Sequence, residues 1–355
     1  MQSSMLRKGM IVGMGNSMLD LIGHVSEDVL DKYKLVANNG YLAAEEHMPL
    51  FQELMEKYNA KFVVGGSVQN TFRVTQWVLN VPKVCTIFGG IGCDQEGKVL
   101  VSKAEADGVD TQYQYINGTP TGICAVLLTK NGAERTLVAN LSAASCFTID
   151  HLQKEENHNR LQVADVVYVA GFFLPVSVES VLYAAQCVHN RSTGTFAMNL
   201  SASYIAERYL TEWTRVMPYI DLLFGNETEA RVFAKELKFK QVKDLHEIAL
   251  ELSHMPKLRP QQRIVVLTQG CDPVIVAKDG VTKEYPVIQL SPEKVIDTTG
   301  AGDAFVGGFL AQFIQNRPLE QCISCGIWCA TQIVQQQGCS LEGFVKYETV
   351  NNKNK

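Results

Sequence analysis

Six short apolar runs, each with glycine or a polar residue at or near its end, constrain this chain more than any other feature: 9-GMIVGMGN-16, 83-KVCTIFGGIG-92, 164-ADVVYVAGFF-173, 194-GTFAMNLS-201, 220-IDLLFGNE-227 and 263-RIVVLTQG-270. Each has the brevity and unbroken apolar character of a buried parallel strand that opens at its carboxyl end into a loop. Amphipathic stretches at helical spacing separate them, among them 68-VQNTFRVTQWVL-79, 177-SVESVLYAAQCVHN-190, 227-ETEARVFAKEL-237 and 243-KDLHEIALELSHM-255. Strand and helix alternating in this way predict an α/β fold with a doubly wound, mostly parallel sheet. Ligands on such sheets bind beyond the carboxyl ends of the strands, where the glycines and polar residues of these runs collect.

One region breaks the rhythm. Residues 121-TGICAVLLTKNGAERTLVANL-141 read as two strands around Asn131-Gly132, a pair that accepts positive φ and so favours a hairpin. With strand-like 18-MLDLIGHV-25 and the segment 38-NNGYLAA-44, the hairpin predicts a small β-rich lid over the ligand edge. The alternative is an extra β edge with no role at the site. The expected division is a large α/β nucleotide-binding domain from 1–17, 66–119 and 142–355, and a small lid from 18–65 and 120–141.

The 355 residues are 46% hydrophobic and 19% charged, with net charge −5 and pI near 5.9. That balance argues against a protein that coats nucleic acid or anionic membrane, and favours small-molecule work. Gly, Gln, Asp or Pro interrupts each apolar run before membrane-spanning length, and MQSSMLRKGMIVGMGN has no export signal. Ten cysteines scattered through apolar segments fit free thiols in a reducing compartment, so the cytoplasm is expected. Cys322, Cys325 and Cys329 in CISCGIWC recur at helical spacing with no second ligand pair nearby, which favours a core face over a zinc site.

Chemistry concentrates in four clusters. In 297-DTTGAGDAFVGGF-309 the backbone meets the start of a helix, where free N–H groups and the positive dipole end make an anion site. Asp303 there is either the helix N-cap or an acid held inside that anion site. In 13-GMGNSMLD-20, Met18 replaces the third glycine of a dinucleotide fingerprint. What remains is a strand end presenting Asn16 and Asp20, and a carboxylate can accept from two adjacent hydroxyls at once. The cluster 65-GGSVQN-70 sets Gly65, Gly66 and Ser67 before the amide of Asn70, which can donate to and accept from a sugar hydroxyl. In 225-GNETEA-230, Asn226 and Glu229 lie three residues apart at a strand end, suited to a water-rich Mg²⁺ that nucleotide phosphates mainly ligate.

Together with 138-VANLSAA-144, 168-YVAGFFL-174 and VLTQG, these clusters resemble the ribokinase-like (PfkB) family of sugar and nucleoside kinases, from about residue 10 to residue 345. AGFFL and FGNETEA are similar to the adenosine-phosphorylating members. The resemblance implies transfer of the ATP γ-phosphoryl to the 5′-hydroxyl of adenosine by a monomer that uses Mg²⁺. It implies that Asp303 is the general base, with the N–H groups of Gly300, Ala301 and Gly302 facing the transferring phosphoryl. Asp20, Gly66 and Asn70, with Asn16, Gly65 and Ser67 beside them, would hold the ribose. Phe172 would pack on the purine, and Leu42, Cys124 and Leu141 would line the base pocket. Asn226, Thr268 and Gly270 would face the nucleotide, Glu229 the Mg²⁺ through water, and Arg135 would reach the phosphates as the lid closes. Phosphoryl transfer needs positioning and charge stabilisation more than covalent help, so an anion hole, a metal and a placed base suffice without a Walker A loop or the protein-kinase elements. Two departures stand out: Gly40 lacks the polar side chain expected there, and Gln335-Gln336-Gln337 replaces a basic stretch on the ATP side. The rivals are another nucleoside or sugar kinase of the same family, or a catalytically silent purine sensor.

Overall fold

The computed structural model describes residues 6–132, 134–191, 193–341, 343 and 347. All six apolar runs supply strands of one nine-stranded sheet. Its order from one edge is Val281–Tyr285, Asp272–Lys278, Ile264–Gln269, Leu222–Asn226, Thr195–Asn199, Val166–Ala170, Ile11–Met14, Cys85–Phe88 and Asp110–Thr111. Pairing is parallel except for the two strands after Gln269, which run antiparallel at the edge. The chain starts in the interior at Ile11–Met14, builds outward on one side, then returns to build the other from Val166–Ala170. The reversal leaves a crevice between the ends of those two strands, the place where open α/β sheets bind ligands.

The four amphipathic stretches form helices at Ser67–Leu79, Leu174–His189, Glu227–Glu236 and Leu245–His254. Helices cover both faces of the large sheet and seal two apolar layers, one around Trp213 and Phe233, the other around Phe72 and Phe309. The stretch Gly171–His189 is long and apolar enough to cross a membrane by length and composition, with mean hydropathy 1.3. Here Val181, Ala184, Ala185 and Val188 pack into the first of those layers instead.

Helix Ala301–Phe313 is wedged between Ser67–Leu79 and Leu319–Ile333. A Cβ on Gly307 would stand 2.6 Å from the Thr71 carbonyl, and one on Gly308 would stand 2.6 Å from that of Cys325. The double glycine of VGGF therefore lets two helix backbones close on the third. Cys322, Cys325 and Cys329 lie on the buried side of Leu319–Ile333 and face this packing.

A separate five-stranded sheet runs in the order Gly40–Leu42, Glu134–Asn140, Ile123–Thr129, Leu19–His24, Lys61–Val64. One face packs on helices Glu27–Lys32 and Met48–Lys57 through Leu21, Leu50, Ala125 and Leu127. The other face carries Ile22, Cys124, Val126 and Leu128, with Val63 and Ala139 beside them. The hairpin pairs Thr129 with Glu134 across residues 130–133 rather than across a two-residue turn, with positive φ at Lys130 and Gly132. Ala133 lies outside the described residues. At the hairpin tip a Cβ on Gly132 would collide with the Ile296 carbonyl, so the small sheet touches the large domain beside the glycine-rich loop.

Candidate active site

Gly300, at φ +77°, turns the chain into helix Ala301–Phe313 and is itself the N-cap. Asp303 is the third helical residue, and its carboxylate does not cap the helix. Instead it accepts from Ser67 Oγ at 2.6 Å and Asn70 Nδ2 at 3.1 Å. Ser67 and Asn70 share a face because three residues separate them in helix Ser67–Leu79. Burial raises the Asp303 pKa, opposed by these two hydrogen bonds and by the charge of Arg135. The Ala301 N–H points to the Thr298 carbonyl at 3.2 Å, while Gly302 is exposed and faces open space. Asn70, expected at the sugar, gives one of its two Nδ2 donors to Asp303, and its oxygen accepts from Arg73 Nη1 at 3.4 Å.

The small sheet contributes a row of side chains. Asp20 pairs with Cys124, Cys124 with Ala139, and Ala139 with Leu42. Directly paired residues share a face, so this row crosses four strands from a carboxylate to an aliphatic end. Arg135 and Leu137 alternate onto the same face. Asp20 presses on Gly65, where any Cβ would overlap its carboxyl group. Burial and the nearby charge of Asp303 push the Asp20 pKa up to about 7, against the pull of Arg135. Leu141 directly follows the strand bearing Arg135 and packs with Met18 and Cys124.

Across the sheet crevice, Asn16 Nδ2 donates to the Phe172 carbonyl at 2.9 Å, joining the ends of the two strands that flank the reversal. Its buried Oδ1 has no partner. The Phe172 ring lies 6.4 Å from that of Tyr204. Tyr204 also stands 3.7 Å from where a Gly40 Cβ would be, so an aromatic from the large domain borders the position where a polar side chain is missing. No motif of the sequence points to Tyr204; its one signal is an aromatic in 199-NLSASY-204, just past a strand end.

On the other flank, Asn226 and Glu229 form a reciprocal cap. Glu229 Oε2 accepts from Asn226 N at 3.0 Å and its Oε1 from Asn226 Nδ2 at 2.8 Å. Asn226 Oδ1 in turn accepts from Glu229 N at 2.8 Å. Burial pushes the Glu229 pKa up to about 7, against the Asn226 N–H and Arg135. Thr268 is the penultimate residue of strand Ile264–Gln269, and Gly270, at φ +59°, is exposed. Gln335 follows helix Leu319–Ile333 and donates back to the Thr331 carbonyl at 2.8 Å. Arg135 reaches over from the small sheet, with Nη1 donating to the Thr298 carbonyl at 3.2 Å and Nε buried without a partner. Its charge acts on Asp20, Asp303 and Glu229 alike.

Among the described residues no three His, Cys, Asp or Glu side chains are arranged to hold a metal. Glu229, already accepting two hydrogen bonds, fits a hydrated Mg²⁺ held through water rather than an ion ligated directly by protein.

The polar face of the small sheet, the start of helix Ala301–Phe313 and the Asp303 carboxylate thus come together at the sheet crevice. The chain belongs to the pfkB family of carbohydrate kinases, whose match spans residues 31–343. It is 42% identical over 342 residues to adenosine kinase 2 of Arabidopsis thaliana, covering 96% of this chain and 98% of the relative. Its fold superposes with TM-score 0.93 on Anopheles gambiae adenosine kinase in complex with P1,P4-di(adenosine-5) tetraphosphate, at 46% identity, covering 96% of this chain and 100% of that one. Schistosoma mansoni adenosine kinase in complex with 2-fluoroadenosine gives TM-score 0.90 at 30% identity, with 95% and 98% covered.

Proposed function

We propose that this chain is an adenosine kinase, an ATP-dependent phosphotransferase that moves the γ-phosphoryl of ATP to the 5′-hydroxyl of adenosine, giving AMP and ADP. The observation that carries the reading is the row Asp20–Cys124–Ala139–Leu42. A nucleoside is polar at its ribose and flat and largely apolar at its base, and the row grades in the same sense. A free sugar would leave the Leu42 end and the face of Phe172 without a partner.

In this mechanism Asp20 accepts hydrogen bonds from the ribose diol, and Phe172 packs on the purine. Asp303, oriented by Ser67 and Asn70, takes the 5′-hydroxyl proton as the oxygen attacks the γ-phosphorus. The N–H groups at the start of helix Ala301–Phe313, with Arg135, face the charge spread over the transferring phosphoryl. Bound magnesium supplies charge neutralisation at the phosphates, and Glu229 and Asn226 would hold it through water. Thr268 and Gly270 border the nucleotide. We place this activity in purine salvage by a cytoplasmic monomer. The ten cysteines are all free, as a reducing compartment would keep them.

Purified protein given Mg-ATP and a panel of adenosine, other nucleosides and free sugars tests this, with products identified by mass. Phosphorylated adenosine is the expected product. Phosphorylated sugar with adenosine untouched would assign the chain to another activity of the family, and adenosine binding without product would make it a silent sensor.

A further inference from the structure

Asn70 places a side-chain amide against Asp303, and an amide has two ends of nearly equal shape and opposite hydrogen-bonding sense. Only the Nδ2 end can donate to the carboxylate. Turned over, Asn70 would set its carbonyl oxygen against the Asp303 carboxylate, acceptor against acceptor. Something must choose between the two orientations. The Asn70 oxygen lies 3.4 Å from Arg73 Nη1, and a guanidinium only donates. Arg73 therefore accepts the Oδ1 end alone as its neighbour and leaves Nδ2 for Asp303.

Arg73 is 2% exposed, one of the largest fully enclosed side chains in the molecule. Its Nε bonds Asp107 Oδ2 at 2.6 Å, and Lys103 stands 3.6 Å from the other Asp107 oxygen. Asp107 terminates helix Gln95–Ala106, and the following Gly108 carbonyl accepts from Lys83 N at 2.7 Å, just ahead of strand Cys85–Phe88. An ion pair sunk this deep is weak evidence for stability, because burying both charges offsets most of their attraction. Its geometry suits the fixing of an orientation.

We propose that Arg73, anchored by Asp107, is a positioning residue for catalysis: it sets the orientation of the Asn70 amide and through it that of the Asp303 carboxylate. The inference rests on Asp303 as the base. Every member of the chain Asp107–Arg73–Asn70–Asp303 belongs to the large domain, so the base is aligned before the small sheet closes.

A double-mutant cycle on the full-length protein tests it. Arg73→Met lowers kcat by about 10-fold, the scale of one hydrogen bond to a charged group, while the adenosine Kd stays within about twofold. In an Asn70→Ala background the same change lowers kcat less than about twofold, because the amide it orients is gone. Arg73→Lys, which restores a donor, recovers most of the loss. Equal kcat losses in both backgrounds overturn the inference. If Arg73→Met does not fold, Asp107→Asn in the same two backgrounds decides between the outcomes: a kcat loss confined to the Asn70 background supports the inference, and an additive one overturns it. Failure of the base reading has a different signature, namely normal turnover by Asp303→Asn.

Discussion

The acceptor side and the donor side of the crevice are built in opposite ways. On the acceptor side, Asp303, Ser67, Asn70 and Arg73 bond one another, Asp20 is pressed onto Gly65, and Asn16 is tied to Phe172. On the donor side, Gly302 and Gly270 are exposed and face open space, and the buried acids are occupied by the protein itself: Glu229 caps its own helix and Asp297 accepts from Thr299 N and Gly338 N. The first half is largely bonded within the protein, with Asn16 Oδ1 left over; the second offers room. A nucleoside, with hydroxyls and a flat ring, needs shape and fixed acceptors. A triphosphate brings its own charge and its own metal, and asks mainly for donors and space.

The largest test of this contrast is Asp303→Asn. Loss of a general base should lower kcat by roughly 10² to 10⁴-fold, with adenosine Kd little changed. Near-normal turnover would leave Asp303 with a purely structural part in the Ser67–Asn70 cluster. Next in size is Arg135, the group that spans both halves. Arg135→Ala should cost kcat about 10²-fold through lost charge stabilisation, well beyond any change in adenosine Kd. Adenosine alone should also slow hydrogen exchange at residues 121–132 and 134–141 if, as proposed, it bridges the small sheet and the large one. Equal exchange with and without adenosine, together with normal turnover by Arg135→Ala, would make the hairpin an inert edge.

A smaller effect sharpens the acceptor half. With Asp20 proposed to accept from both ribose hydroxyls, 2′-deoxyadenosine should lose about 1 to 3 kcal/mol in kcat/KM, and Asp20→Ala should shrink that preference. Equal kcat/KM for the two nucleosides in the unmodified protein would remove Asp20 from the diol. The smallest effect is one of pH. With its pKa raised to about 7, Asp20 holds a proton part of the time in the free protein. Hydroxyl donors favour the carboxylate, so adenosine bound as proposed should lower that pKa and expel the proton. Affinity for adenosine alone should therefore fall as pH drops below about 7, by at most about 10-fold per unit, and Asp20→Asn should flatten the dependence. Calorimetry without ATP isolates Asp20 from Glu229, and an unchanged Kd from about pH 6 to pH 8 would contradict the assignment.

The large sheet is legible in the sequence because six of its strands are continuous apolar runs, a pattern that buried parallel pairing requires. The antiparallel edge at Asp272–Lys278 and Val281–Tyr285 is not: its outer strand alternates and is half exposed. The Asp279-Gly280 pair between them is the available hairpin signal. In the candidate site, the glycine-rich motifs announce themselves by composition. Asn70 reads from sequence as a sugar ligand, and its bond to Asp303, 233 residues away, is a tertiary fact that the sequence does not show. Asp107 is invisible for the same reason, and Tyr204 shows only as an aromatic just past a strand end.

The row on the small sheet has a further consequence. Its members stand on four different strands, so its length is counted in strand spacings, three intervals of roughly 4.8 Å or roughly 14 Å in all. That interval is set by backbone hydrogen bonds, which no side-chain substitution alters. Evolution can retune what each mark on this ruler recognises, one residue at a time. Accommodating a molecule one mark longer takes another strand.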